Sequence, residues 1–204
     1  MEFTPYPKTP RLRRPEVYTE KLDGTNAQIV ITRDVDNQAA LGGQDPEVIG
    51  WGRDDEGWLQ MRVGSRNRWI TPNRDGIASD NYGFALWCYE NVSELFKLGV
   101  GRHFGEWYGC GIGRGYGLSE KRFALFNTDR WGAHNPNTPA CCEVVPVLES
   151  GFGVDTAMEL LKRYGSMAAP GFMNVEGICV YHTASKQTYK VLAKNDHIPK
   201  GLTQ

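Results

Sequence analysis

No stretch of this chain comes near the ~20 consecutive apolar residues that cross a bilayer. The opening residues, MEFTPYPKTPRLRR, lack the apolar run of a signal peptide. A membrane protein and a secreted one are therefore not expected; the reading is an intracellular, cytoplasmic chain. Cysteine is scarce and poorly spaced for a structural role. Cys88, Cys110, Cys141, Cys142 and Cys179 contain no C-x-x-C pair, and their odd number does not suggest a disulfide framework. Adjacent Cys141 and Cys142 suit neither a bridge nor a shared tetrahedral metal. His103, His134, His182 and His197 are scattered, so a zinc centre is not expected. The cysteines read as reduced core filler. Net charge is missing too: Lys plus Arg is 23 against 24 for Asp plus Glu, which excludes a histone-like polycation but leaves room for local basic faces.

What the chain does have is aromatics, glycine and β-formers. With 204 residues, 40% hydrophobic and 11% aromatic, it can bury a core, and wholesale disorder is excluded. The length fits one domain over residues 1–204, with an extended Pro-rich lead-in over 1–15 marked by prolines 5, 7, 10 and 15. The 24 glycines fall between short β-rich runs, the pattern of a sheet protein with many turns. Strands are expected at 16–22 and 26–32, on either side of Asp23-Gly24 as in a hairpin. Others are expected at 48–52, 58–63, 104–108, 123–127, 143–148, 175–182 and 187–193. The polar stretch 34–47 reads as a long hairpin loop. A helix is expected from Asp80 to Leu98, where apolar residues recur at spacings of three and four. Another starts in the capping box Thr156-Ala157-Met158-Glu159 and stops at Gly165. The fold class is α+β, with antiparallel sheets flanked by a few helices rather than a doubly wound βαβ arrangement.

Two local basic patches stand out on this neutral background. Between Leu59 and Arg74 lie Arg62, Arg66, Arg68 and Arg74 with no acid; after Lys186 come Lys190, Lys194 and Lys200 against Asp196 alone. Such patches suit phosphate, although solvated faces would look the same. The most informative string is Glu20-Lys21-Leu22-Asp23-Gly24-Thr25-Asn26. A lysine becomes a nucleophile only once its amine is deprotonated, and a strand end held by a turn can fix that amine against a substrate. By itself K-x-D-G is a weak pattern, expected by chance in about one in twenty chains of this length.

Other signals follow it in order. Phe104-Gly105-Glu106-Trp107 sets a carboxylate on an aromatic strand, and Phe123-Ala124-Leu125-Phe126-Asn127 is an apolar strand with an aromatic near its end. Val175-Glu176-Gly177-Ile178-Cys179-Val180 sets a second carboxylate before a run of β-formers, and Tyr189-Lys190-Val191-Leu192-Ala193-Lys194 returns two lysines. From Lys21 to Lys194 the sequence resembles the covalent nucleotidyltransferase superfamily of ATP-dependent DNA ligases, RNA ligases and mRNA capping enzymes, whose motifs run in this order.

The resemblance implies an adenylation domain of the ligase type and a role for each position. Lys21 would attack the α-phosphate of ATP and hold AMP as a lysyl phosphoramidate, with Asp23, Gly24 and Asn26 beside the nucleotide. Glu106 would bind the ribose hydroxyls, and Phe126, or alternatively Phe123, would stack on the base. Glu176 would help hold Mg²⁺ (or Mn²⁺), and Lys190 and Lys194 would meet the α-phosphate. The family usually spaces its two lysines with one residue between them. Here they are four apart, about 13 Å in a straight strand, which favours Lys190. Arg66 would meet the ribose or the substrate 5′-phosphate, with Arg62, Arg66 and Arg68 guiding nucleic acid along 62–74. Asn26 stands where DNA ligases of the superfamily carry arginine, and the G-T-N ending is similar to RNA ligases of phage and bacterial repair systems. Asp23 departs from one RNA ligase group, in which that position is often histidine. The ten residues after Lys194 are too few for an oligonucleotide-binding barrel. The resemblance thus implies an ATP-dependent RNA ligase of a bacterial or phage-infected cell, joining RNA 5′-phosphate and 3′-hydroxyl ends. A minimal DNA nick ligase and a non-sealing nucleotide- or nucleic-acid-binding module are the alternatives.

Overall fold

A computed structural model describes residues 2–36, 39, 42, 45–72, 80–151 and 153–198. Arg74, Lys200 and part of the 34–47 stretch lie outside the described residues. In chain order the strands are β1 (Glu16–Lys21), β2 (Thr25–Arg33), β3 (Val48–Asp54), β4 (Gly57–Ser65), β5 (Trp69–Ile70), β6 (Gly101–Gly109), β7 (Lys121–Leu125), β8 (Cys142–Val144), β9 (Val147–Gly151), β10 (Gly177–His182) and β11 (Gln187–Leu192). The α-helices are α1 (Phe84–Glu90), α2 (Val92–Leu95) and α3 (Val154–Tyr164). The class is α+β, as expected. The chain folds as two compact units, Met1–Lys21 with Pro146–Gln204, and Leu22–Val145.

The first unit is a four-stranded antiparallel sheet in the order β11-β10-β1-β9. Strand side chains alternate in direction, so Tyr18, Ile178 and Val180 face one way and meet Ala157, Met158 and Leu161 of α3 in a small core. Residues 2–15 lead into β1 as an exposed extended segment. Its last residues are tied down where His182 Nε2 meets Leu12 O at 2.7 Å and Thr183 Oγ1 donates to Pro15 O at 2.6 Å.

The second unit is a larger mixed sheet, β3-β4-β2-β6-β7-β8, with β5 beside β4; β7 and β8 run parallel and the other pairs antiparallel. β2 lies between β4 and β6 and buries Ala27 to Ile31. One face of this sheet carries Ile29, Ile31, Met61, Val63, Trp107 and Phe123 into a core closed by Phe84, Cys88, Leu95 and Leu98. The opposite face carries Asn26, Gln28, Arg62, Arg102, Phe104 and Glu106.

Several expectations are corrected. β1 and β2 belong to different sheets, so Asp23-Gly24 links strands of two sheets and does not turn a hairpin. The 34–47 stretch is no hairpin loop either, because β2 pairs with β4 and β3 lies on the far side of β4. The Asp80–Leu98 helix is broken. Asp80 Oδ1 accepts the amides of Ala85 and Leu86, Asn81 and Tyr82 have φ of 41° and 60°, and Asn91 Nδ2 donates to Trp87 O at 2.8 Å. Short Asp and Asn side chains compete in this way with helical bonds. α3 starts from Gly153, without a side-chain cap, so the Thr156 capping box does not form; Gly165, at φ 76°, does end the helix. The expected strand 143–148 divides at Pro146, which lacks an amide proton for a ladder and whose carbonyl accepts Glu20 N–H at 2.9 Å. Cys88 is buried in the core and Cys141 and Cys142 pack against it partly buried, so core filler describes three of the five; Cys110 is exposed in a glycine-rich loop.

Candidate functional site

In the first unit, Lys21 closes β1 with its side chain on the face away from α3. Its Nζ lies 2.6 Å from Glu176 Oε2, and both side chains are about one-fifth exposed, 22% and 19%. β10 begins at Gly177, so Glu176 stands one residue before the strand and is part-exposed, not a carboxylate buried within it. The register aligns Lys21 with Gly177 and Gly177 with Leu192; one row back, Thr19, Cys179 and Lys190 align. Lys190 is therefore on the same sheet face as Lys21. β11 ends at Leu192, and Ala193 N–H donates to Glu176 O at 2.9 Å, which sets the backbone before Lys194 against Glu176. The straight-strand spacing that favoured Lys190 thus stops short of Lys194. Both lysines are exposed.

Glu20 is a feature that the sequence reading did not single out. It is 1% exposed on the α3 side, where its Oε2 accepts the amides of Met167 at 2.8 Å and Ala168 at 3.1 Å. Burial raises its carboxyl above the ordinary carboxylate range, opposed by bonds from Ser166, Ala168 and Met167. Neighbouring residues on one strand thus do opposite things: Lys21 faces an accessible carboxylate, while Glu20 pins the loop that leads to that carboxylate. The signal was the alternation, which sets Glu20 in line with the fully buried Tyr18.

In the second unit, Asp23, Gly24 and Asn26 lie against β6. Asn26 aligns with Glu106, and Glu106 with Ala124. A Cβ on Gly24 would stand 2.4 Å from Trp107 O and 2.9 Å from Glu106 Cγ, so only glycine fits this approach. Asp23 N–H donates to the Tyr116 hydroxyl at 2.7 Å, and Arg114 Nε lies 3.2 Å from Asp23 Oδ2. Tyr116 stands edge-on to Tyr108 at 5.4 Å. These partners come from a loop with glycine at every second position from 109 to 117, a repetition visible in the sequence but unread there. Gly113 (φ 50°) lets the loop close on Asp23, whose carbonyl would be 2.5 Å from an added Cβ.

Phe126 follows β7, is 40% exposed, and donates its amide to Phe104 O at 3.0 Å. Phe123 is fully buried beside Phe84 at 4.9 Å and belongs to the core. Of the two aromatics, only Phe126 offers a ring to a ligand. The arginines also divide. Arg62 is paired with Asp45, whose carboxyl it holds below the ordinary range; Arg66 and Arg68 are exposed in the turn between β4 and β5. The segment is acid-free in sequence, but folding brings an acid to it.

Among the described residues no three His, Cys, Asp or Glu side chains gather as a metal cage. A Mg²⁺-type ion keeps waters and takes phosphate oxygens with one or two protein carboxylates. Glu176 is the carboxylate beside the amine. No helix among the described residues is long and apolar enough to cross a membrane.

A family model described as RNA ligase matches residues 14–195. No curated protein sequence matches the chain. Among solved structures, the chain resembles three variants of Naegleria gruberi RNA ligase. Two, solved with ATP and Mn, are 16% and 17% identical with TM-scores of 0.50 and 0.51; the third, solved apo, is 18% identical with a TM-score of 0.50. Each match covers 89% of this chain and 49% or 50% of the other, so the chain spans about half the length of those proteins. At that identity the likeness is one of fold.

Proposed function

The chain belongs to the RNA ligase family, and we propose that it is an ATP-dependent RNA ligase acting through a covalent lysyl-AMP. The observation that carries this reading is the Lys21 amine at the end of β1, held 2.6 Å from Glu176 at the head of β10. In the first step the neutral Lys21 amine forms the Nζ–phosphorus bond as the bond to pyrophosphate breaks, and the proton then lost from the nitrogen passes to water. Lys190 and Lys194 would supply positive charge where negative charge develops on the phosphates. Asp23, Gly24, Asn26 and Glu106 would hold the nucleoside, with Phe126 stacking on the base. A divalent ion such as Mg²⁺ or Mn²⁺ would be held by Glu176 and the triphosphate, and would supply charge neutralisation for pyrophosphate. The Naegleria ligases solved with ATP and Mn support this choice of ligands.

AMP would then pass to an RNA 5′-phosphate, and a 3′-hydroxyl would displace it to form the phosphodiester. Arg66 is our candidate for the 5′-phosphate, with Arg68 beside it; Arg62, tied to Asp45, is the weaker of the three.

The test is incubation with α-labelled ATP followed by denaturing electrophoresis. The expected outcome is covalent label on the 22.9 kDa chain, lost in both Lys21→Ala and Lys21→Arg, since a guanidinium does not deprotonate to attack. Label retained in either variant contradicts the assignment. Sealing of nicked RNA, nicked DNA and single-stranded RNA then distinguishes the RNA reading from a DNA nick ligase.

A further inference from the structure

The polar face of the larger sheet carries a group that the nucleotide roles leave unused. Arg102 is exposed on β6, where its Nη1 donates to Gln28 Oε1 at 2.5 Å. Its guanidinium lies 5.8 Å from the Trp69 ring centre and 6.0 Å from that of Phe104. Gln28 is 9% exposed, and its amide donates to Ser65 O at 3.2 Å, at the start of the Arg66–Arg68 turn. That turn closes tightly on it: a Cβ on Gly64 would meet Gln28 Nε2 at 3.0 Å and Arg68 O at 3.1 Å. One nearly buried amide therefore fixes both Arg102 and the arginine turn.

A ring wholly covered by its cation–π contact offers no face to a ligand. Phe104 is instead 46% exposed. A flat cation within 6.0 Å of two aromatic rings, beside further arginines, offers π-faces for bases and positive charge for phosphates, the combination that grips an unpaired polynucleotide strand. Phe104 precedes Glu106 by two residues on β6, about 7 Å, so a strand end held here would lie within reach of the proposed nucleotide residues. We infer that Trp69, Arg102 and Phe104, with Arg66 and Arg68, form a stacking platform for a single-stranded segment of the RNA being joined. The inference rests on the ligase reading.

The test is a titration of the full-length chain with fluorescent single-stranded RNA bearing a 5′-phosphate, at several salt concentrations and without ATP. Phe104→Ala is expected to weaken binding by about fivefold or more, the low end for a stacked base, with the salt slope unchanged. Arg102→Ala should weaken binding and reduce the slope by about 0.7, the loss of one phosphate contact on a single strand. Arg102→Lys should restore the slope but not the affinity, because ammonium keeps the charge and loses the planar stack. RNA affinity equal to wild type in Phe104→Ala and Arg102→Ala overturns the inference. So does a variant that binds RNA normally but needs more ATP for self-labelling, which would put the group in the ATP site. The titration requires no ATP, so failure of the wild-type chain to self-label would count against the ligase reading and leave the platform to be judged by RNA binding alone.

Discussion

Glu20 and Lys21 are adjacent, and their environments differ in every respect that matters chemically. Lys21 has an accessible carboxylate partner; Glu20 is buried and bonded to two backbone amides. Lys21 stands out in the sequence because a short pattern carries it. Glu20 does not, because its partners, Met167 and Ala168, are distant in sequence. Because burial raises the Glu20 carboxyl, the folded chain keeps that proton to higher pH than the unfolded one. The contribution to stability is full below the unfolded carboxyl range and is lost as pH rises through the folded one. Glu20→Gln retains an oxygen for the amides and removes the charge, so its advantage over wild type should grow between about pH 5 and about pH 8, read as unfolding midpoints in thermal melts. Glu20→Ala leaves both amides without that acceptor and should cost about 1–3 kcal/mol at either pH. A Gln variant whose midpoint tracks wild type at every pH would show that the carboxyl does not titrate in this window.

At the scale of elements, alternation and turn residues made most strands readable, while pairing was not. Asp23-Gly24 looks like a hairpin because two β-rich runs flank it, yet the ladder partners of β1 are β9 and β10, over a hundred residues later. The glycine is needed for a different reason: the backbone of β6 crosses directly over it. The helical periodicity from Asp80 to Leu98 was real, but Asp80 and Asn91 side chains break it locally, which apolar spacing does not report. The preference for Lys190 over Lys194 assumes a straight strand through both, and β11 ends at Leu192. Two substitutions test how the Asp23-Gly24 segment is held. Gly24→Ala must displace the Trp107 carbonyl and should lower stability by about 1–3 kcal/mol. Tyr116→Phe removes the acceptor of the Asp23 amide and should cost about 1–3 kcal/mol if that amide stays dry. Urea unfolding of each variant gives the numbers, and a wild-type midpoint for Gly24→Ala would mean that β6 yields freely there.

For the whole molecule, the first and last of the three proposed steps, self-labelling and sealing, can be assayed apart, and the candidate residues divide between the two units. Glu176→Ala removes the carboxylate beside the Lys21 amine and should abolish self-labelling. Arg66→Ala, in an exposed turn of the other unit, should spare much of the labelling yet cripple sealing, even of a pre-adenylylated 5′ end. If Arg66→Ala instead blocks labelling and seals a pre-adenylylated strand normally, that arginine serves ATP. The order of motifs made the family and fold class readable, but not the division into two units, since nothing in local composition marks residues 21–22 or 145–146 as boundaries.

That division also orders events on the ribosome. β1 is synthesised before Leu22–Val145, but its partners β9 and β10 emerge only after the whole of that segment has been made. At ordinary rates of elongation the wait is on the order of ten seconds, long enough for the larger sheet to fold while Tyr18 and the alternating strand around it stay unpaired. The strand that ends in the proposed nucleophile is thus made before the larger sheet and paired only after it. A nascent chain arrested near Val145 would present that strand as an open edge, a template for another chain.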